Sequence, residues 1–157
     1  MGNLTNQLEF EQVEDPNEIL RRQVAKGWTK ADGSPMSVAF SPTPKDQRKL
    51  STDRQRATPE QSFKRYASSC GDEPSGTWGV SIRAVSEAHA AVAPAHRDSS
   101  KLFVLDDAAH DGNHEDHASI LFPEIDVSKN QLKKVHERLA TELKKFAIEH
   151  GKLYPES

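Results

Sequence analysis

The clearest period in the chain lies near its C-terminal end. Leu132, Val135, Leu139, Leu143 and Phe146 recur at three- and four-residue steps, which places them on one side of an α-helix with polar residues opposite. Ser128 is a good N-cap, Gln131 completes a capping box, and Val127 is placed to staple onto Leu132. Lys144, Lys145 and His150 sit toward the negative end of the helix dipole, and Gly151 supplies a C-cap. A helix of about twenty residues spans roughly 30 Å. That is long for a small domain, so the stripe is a candidate interface as well as a candidate core face.

Two further segments have a readable pattern. Thr58-Pro59-Glu60-Gln61 has the form of a helix start, with Phe63, Tyr66 and Ala67 on one face and an end near Cys70-Gly71. Trp78 to Val85 alternates Trp78, Val80 and Ile82 with Gly79, Ser81 and Arg83, which predicts a strand. Elsewhere the signals are shorter. Asp15-Pro16-Asn17-Glu18 resembles a capping box, and Ile19, Leu20, Gln23 and Val24 fit a helical face, with a strand as the alternative. Asp32-Gly33 marks a turn, Met36–Phe40 reads as a short strand beside a core Trp28, and Ser41-Pro42-Thr43-Pro44 favours extended backbone. His89–Ala93 fits a strand or a short helix; Lys101–Leu105 and Ala118–Phe122 read as strands.

These pieces amount to two or three helices and four or five short strands with no βαβ alternation. They predict a small single α+β domain, a mostly antiparallel sheet closed by a long amphipathic C-terminal helix. Residues 1–14 read as a flexible arm, 15–157 as the domain, and 106–117 as a mobile loop within it.

Composition narrows the picture. The 157-residue chain is 34% hydrophobic, or about 38% once glycine is counted and tyrosine is not, against roughly 45–50% for typical domains. Its mean hydropathy is -0.77. The core must therefore be modest. A net charge of -3 gives no overall attraction for nucleic acid or an anionic membrane. The local stretch Lys45, Arg48, Lys49, Arg54, Arg56, Lys64 and Arg65 is the exception, and it supports phosphate or nucleic-acid contact as one alternative. The single cysteine, Cys70, excludes an internal disulfide and a cysteine-based zinc site, and reads as structural. No signal-peptide pattern and no apolar run of membrane length are visible, so the expectation is a cytoplasmic, non-membrane protein.

Candidate chemistry concentrates in Asp106–His117. His110, His114 and His117, mixed with carboxylates, have the donor types of a divalent transition-metal site. Their four- and three-residue spacing would align them on a helix, but Asp111-Gly112-Asn113 breaks helix there. HExxH is absent. His117 opens the apolar run Ala118–Phe122, so a rigid strand would hold it, which makes it the best catalytic candidate. Ser51, Thr52 and Arg54 form a second constellation, able to bind a phosphate or ribose. Glycine-rich phosphate loops and a nucleophile elbow are missing. The leading expectation is an accessory or binding protein that works through a protein partner or as a homodimer. The alternatives are an enzyme or sensor using the histidine-rich segment, with or without a metal, and phosphate or nucleic-acid binding through 45–65. No other cofactor is expected.

Overall fold

The computed structural model describes residues 11–42, 48–69, 73–92, 103–108, 113–124 and 126–155. Its strands are β1 (Glu11–Gln12), β2 (Ile19–Ala25), β3 (Lys49–Asp53), β4 (Pro74–Ser81), β5 (Val104–Asp106), β6 (His117–Leu121) and β7 (Lys152–Tyr154). The helices are α1 (Pro59–Ser69), α2 (Ile82–Val92) and α3 (Lys129–His150), with 3-10 turns at Lys26–Trp28 and Ser37–Phe40. The strands form one sheet in the order β1-β5-β6-β3-β2-β4-β7, and every neighbouring pair is antiparallel.

Alternation along the strands gives the sheet two unlike faces. In β3 and β6 the register opposes Leu50 to Ile120, Ser51 to Ser119, and Asp53 to His117. Leu50, Ala118, Ile120, Leu20, Val24, Trp78, Val80 and Val104 therefore share one face, and all are buried in the principal core. Ala84, Val85, Ala88 and Val92 of α2, with Leu139, Ala140, Leu143 and Ala147 of α3, cover that face. The other face carries Arg21, Ser51, Asp53, Thr77, His117 and Ser119, together with the buried Leu105 and Leu121. Helix α1 lies on this polar side: Ser62 bonds Asp53, the Pro59 carbonyl meets Thr77, and Phe63 packs edge-on against Tyr154.

Local chemistry accounts for the helix ends. Ser128 and Gln131 form the expected capping box of α3, and Thr58 and Gln61 make the same reciprocal pair at α1. Gly151, at φ 97°, ends α3 in a conformation that favours glycine and turns the chain into β7. Gly79 is required by close approach, since a Cβ there would lie 2.8 Å from Ile19 Cγ2 and 2.9 Å from Leu153 Cδ1.

Several expectations are corrected. Among the described residues the sheet has seven strands, more than the four or five expected; β1 and β7 are edge strands of two and three residues, too short to show a period. Residues Ile19–Ala25 are a strand, not a helix: Asp15 closes a local turn through its bonds to the Asn17 and Glu18 amides. Arg22, on the core face, interrupts the apolar alternation. Its guanidinium reaches Ala39 O at 2.7 Å and Ser51 O at 2.9 Å and lies 6.0 Å from the centroid of the half-buried Trp28. The predicted strand at Met36–Phe40 is instead a 3-10 turn. The Trp78–Val85 strand stops at Ser81, whose hydroxyl accepts the Ala84 amide and starts α2, and α2 absorbs His89. Ser62 takes the buried place expected of Ala67, which is exposed. Within the expected N-terminal arm, Glu11–Gln12 pairs with β5 and Val13 is buried; residues 1–10 lie outside the described residues.

Candidate functional site

At one end of the sheet β3 and β5 finish while β2 and β6 begin, and four chain segments bring their charged residues together there. Three layers of interaction can be separated.

The first is at the sheet margin. Arg54, just past β3, donates Nε and Nη2 to the two carboxylate oxygens of Glu18, each at 2.8 Å, and Nη1 to Asp106 at 2.7 Å. The hydrogen bond from Arg54 is the main reason that Glu18 titrates below its ordinary range. Burial pushes Asp106 up, but the Arg54 bond and the Ala108 amide outweigh it. In return, the carboxylates hold Arg54 firmly in its charged form.

The second layer joins β3, α1 and the entry to β6. Asp53 accepts the Ser62 hydroxyl at 2.5 Å and the His114 Nε2–H at 2.9 Å. His114 Nδ1 then faces two donors, Arg65 Nη1 at 2.8 Å and the Asp116 amide at 3.2 Å. An imidazole nitrogen that receives two donors must be unprotonated, so this geometry fixes His114 as the neutral Nε2–H tautomer. Burial is the largest influence on His114 and lowers its pKa; Asp53 opposes that shift and Arg65 adds to it. Asp116 is bound by Arg65 Nη2 at 2.8 Å and Arg56 Nε at 3.0 Å.

The third layer is the most enclosed. His117 Nδ1 lies 2.6 Å from Asp107 Oδ1, and Ser119 Oγ donates to Asp107 Oδ2, also at 2.6 Å. The Asp107 side chain is 6% exposed and that of His117 12%. Burial raises the Asp107 pKa, yet the His117 and Ser119 hydrogen bonds more than offset it and keep the carboxyl below the usual range. An ionised carboxylate accepts only, so the imidazole proton must sit on Nδ1. Nε2 of His117 makes no hydrogen bond among the described residues. The His114 ring stands edge-on beside it, with centroids 5.6 Å apart.

The structure brings together some of the sequence-predicted site residues and separates others. His114 and His117 are neighbours, while His110 lies outside the described residues. No group of three or more His, Cys, Asp or Glu able to hold a metal ion occurs among the described residues. Arg54 belongs to the cluster. Thr52 points to the core side, where it is buried and donates to Ala118 O, and exposed Ser51 gives its carbonyl to Arg22. Of the basic stretch, Arg48, Arg54, Arg56 and Arg65 all pair with carboxylates of the same chain, Lys64 bridges Glu60, and Lys45 lies outside the described residues. In the α3 stripe Leu139 and Leu143 are fully buried, whereas Leu132, Val135 and Phe146 are half-buried. Ser62 and Ser119 were not singled out from sequence; Arg65 was read only as part of the basic stretch, Asp53 only beside Ser51, Thr52 and Arg54, and Asp107 and Asp116 only as carboxylates of the 106–117 segment. The available signal was the alternation His117-Ala118-Ser119-Ile120, which puts a histidine and a serine on one face of a strand otherwise built for a core.

No helix among the described residues is long and apolar enough to cross a membrane. Comparison with protein-family models, with curated proteins and with solved structures finds no match to this chain.

Proposed function

We propose that His117 is the proton-transfer residue of an acid–base centre, oriented by Asp107, with Ser119 as the positioning residue that fixes Asp107. The observation that carries this reading is the 2.6 Å contact between His117 Nδ1 and a buried carboxylate whose other oxygen is also bound. That arrangement holds the ring, selects the tautomer and leaves Nε2 as the base. When Nε2 takes a proton, Asp107 stabilises the imidazolium; the proton is then given back to a leaving group. Ser119 is not the nucleophile, because its hydroxyl proton is committed to Asp107. The reaction class that fits is water attack on an ester or related bond, with His117 activating the water. Assays with p-nitrophenyl acetate, p-nitrophenyl phosphate and bis-p-nitrophenyl phosphate test it. Turnover should fall by about 10²–10⁴-fold in His117→Gln and less in Ser119→Ala. Turnover unaffected by His117→Gln, or none with any of the three esters, contradicts the reading.

A second reading, an accessory protein working through a protein partner, is supported by an open groove along the first turns of α3 where Val38 is 46% exposed. Selection of binding peptides from a random display library, on immobilised folded protein, tests it. Enrichment of any peptide class on the native fold supports the reading, and no enrichment contradicts it.

A further inference from the structure

The groove that favours the partner-binding reading has a definite chemistry. It holds about 760 Å³ between the Ser37–Phe40 turn and α3. Val38, Pro42, Leu132 and Ala140 give it apolar walls, and Lys129 and Lys133 stand on its rim. Both lysines are exposed, and neither forms an ion pair among the described residues. Their position runs against helix electrostatics. The start of α3 is the positive end of its dipole, and its first turn contains no acidic residue. Lys129, in the first turn, therefore repels that end instead of complementing it, and Lys133 and Lys134 add positive charge in the turn that follows. Among the described residues Glu137 is the one carboxylate lining the groove, a turn further along.

Resting on the partner-binding reading, we propose that this groove docks an acidic, aliphatic-rich segment of a partner protein. Aliphatic side chains cover Val38, Pro42 and Leu132, and carboxylates meet Lys129 and Lys133. An anionic occupant removes the mismatch between those lysines and the helix start, and a basic one would aggravate it.

The test is random 16-residue peptide display on the native protein, with the selected peptides then mapped by ¹H–¹⁵N NMR. Sequences rich in Asp/Glu and Leu/Ile should enrich and shift the amide signals of Val38, Leu132, Lys133 and Ala140. Affinity should drop at least tenfold in Lys129→Glu/Lys133→Glu, and also in Val38→Asp. Lys129→Glu alone should hold or raise the melting temperature, because it corrects the charge in the first turn and leaves Lys133 facing Glu137; weaker binding with undiminished stability separates docking from folding. Basic peptides, shifts mapping elsewhere, or a dimer in light scattering with this groove covered would overturn the assignment while leaving a partner-binding protein. No enrichment at all would overturn both.

Discussion

The two faces of the sheet are built from the same strands and solve opposite problems. On one, Leu50, Ala118, Ile120 and their neighbours meet α2 and α3 in an apolar core. On the other, one residue away along each strand, Asp53, His117 and Ser119 meet Arg65, His114 and Asp107 in a network of charge and hydrogen bonds. The core face is stabilised by removing apolar surface from water, a non-directional effect that tolerates similar shapes. The polar face has to recover the cost of desolvating its charges through particular partners, and such networks are poor stabilisers compared with well-packed apolar groups. A chain with so lean a core still places seven carboxylates or histidines at one sheet end, where charge pairing adds little to stability.

The comparison breaks most visibly if Ile120 is shortened. Ile120→Ala should cost about 2–5 kcal/mol in denaturant unfolding, through lost transfer energy and a cavity. It should leave the His117–Asp107 bond intact. Loss of that bond in an otherwise folded Ile120→Ala protein would show that the two faces are not separable.

Acid offers the next contrast. His89 is buried on α2, stacked at 4.3 Å centroid distance on Phe103, and its Nε2 is unpartnered. Burial lowers its pKa to about 4. The unfolded chain thus takes up the proton first, and stability is lost as pH falls from about 6.5 toward about 4, by roughly 2–4 kcal/mol. On the polar face His114 contributes in the same sense. Glu18, Asp106, Asp107 and Asp116 have lowered pKa values, so their contribution is complete above the ordinary carboxylate range and is lost only at more acid pH. His89→Phe should flatten most of the upper limb of the stability–pH curve and spare the lower one. An unchanged upper limb would refute this division.

Within the network, Arg54→Met should cost on the order of 2 kcal/mol, reduced from fully buried values because Arg54 retains some exposure. Glu18 and Asp106 would lose their shared cation. Adding Glu18→Gln and Asp106→Asn should recover part of the loss, and a triple variant less stable than the single would contradict the pairing. The smallest effect expected is Ser119→Ala, about 1.5 kcal/mol, the low end for one hydrogen bond to a charged group. Set beside Ile120→Ala, it compares adjacent residues on opposite faces of β6.

What the sequence reveals follows the same division. The α3 stripe, both capping boxes and the β6 run are local patterns, and each corresponds to an element found in the structure. The β2 strand was disguised by Arg22, a charge on the core face that is satisfied by carbonyls 17 and 29 residues away. Glu18 looked like a helix-capping acid because its actual partner, Arg54, is 36 residues distant. His117 stood out from its place before an apolar run, whereas Asp107 did not, since its role depends on β5 lying beside β6. Local periodicity records which face is buried. Which charges meet on the other face depends on the sheet order.

The central claim is that Asp107 holds His117 with Nε2 as a free base. Long-range ¹H–¹⁵N correlation of the imidazole rings at pH 8 measures this directly, with His117→Gln and His114→Gln for assignment. The prediction is His117 as the Nδ1–H tautomer, with a strongly deshielded Nδ1 proton that moves upfield in Asp107→Asn, and His114 as the Nε2–H tautomer. A His117 ring found as Nε2–H, or as a freely exchanging mixture insensitive to Asp107→Asn, would contradict the account.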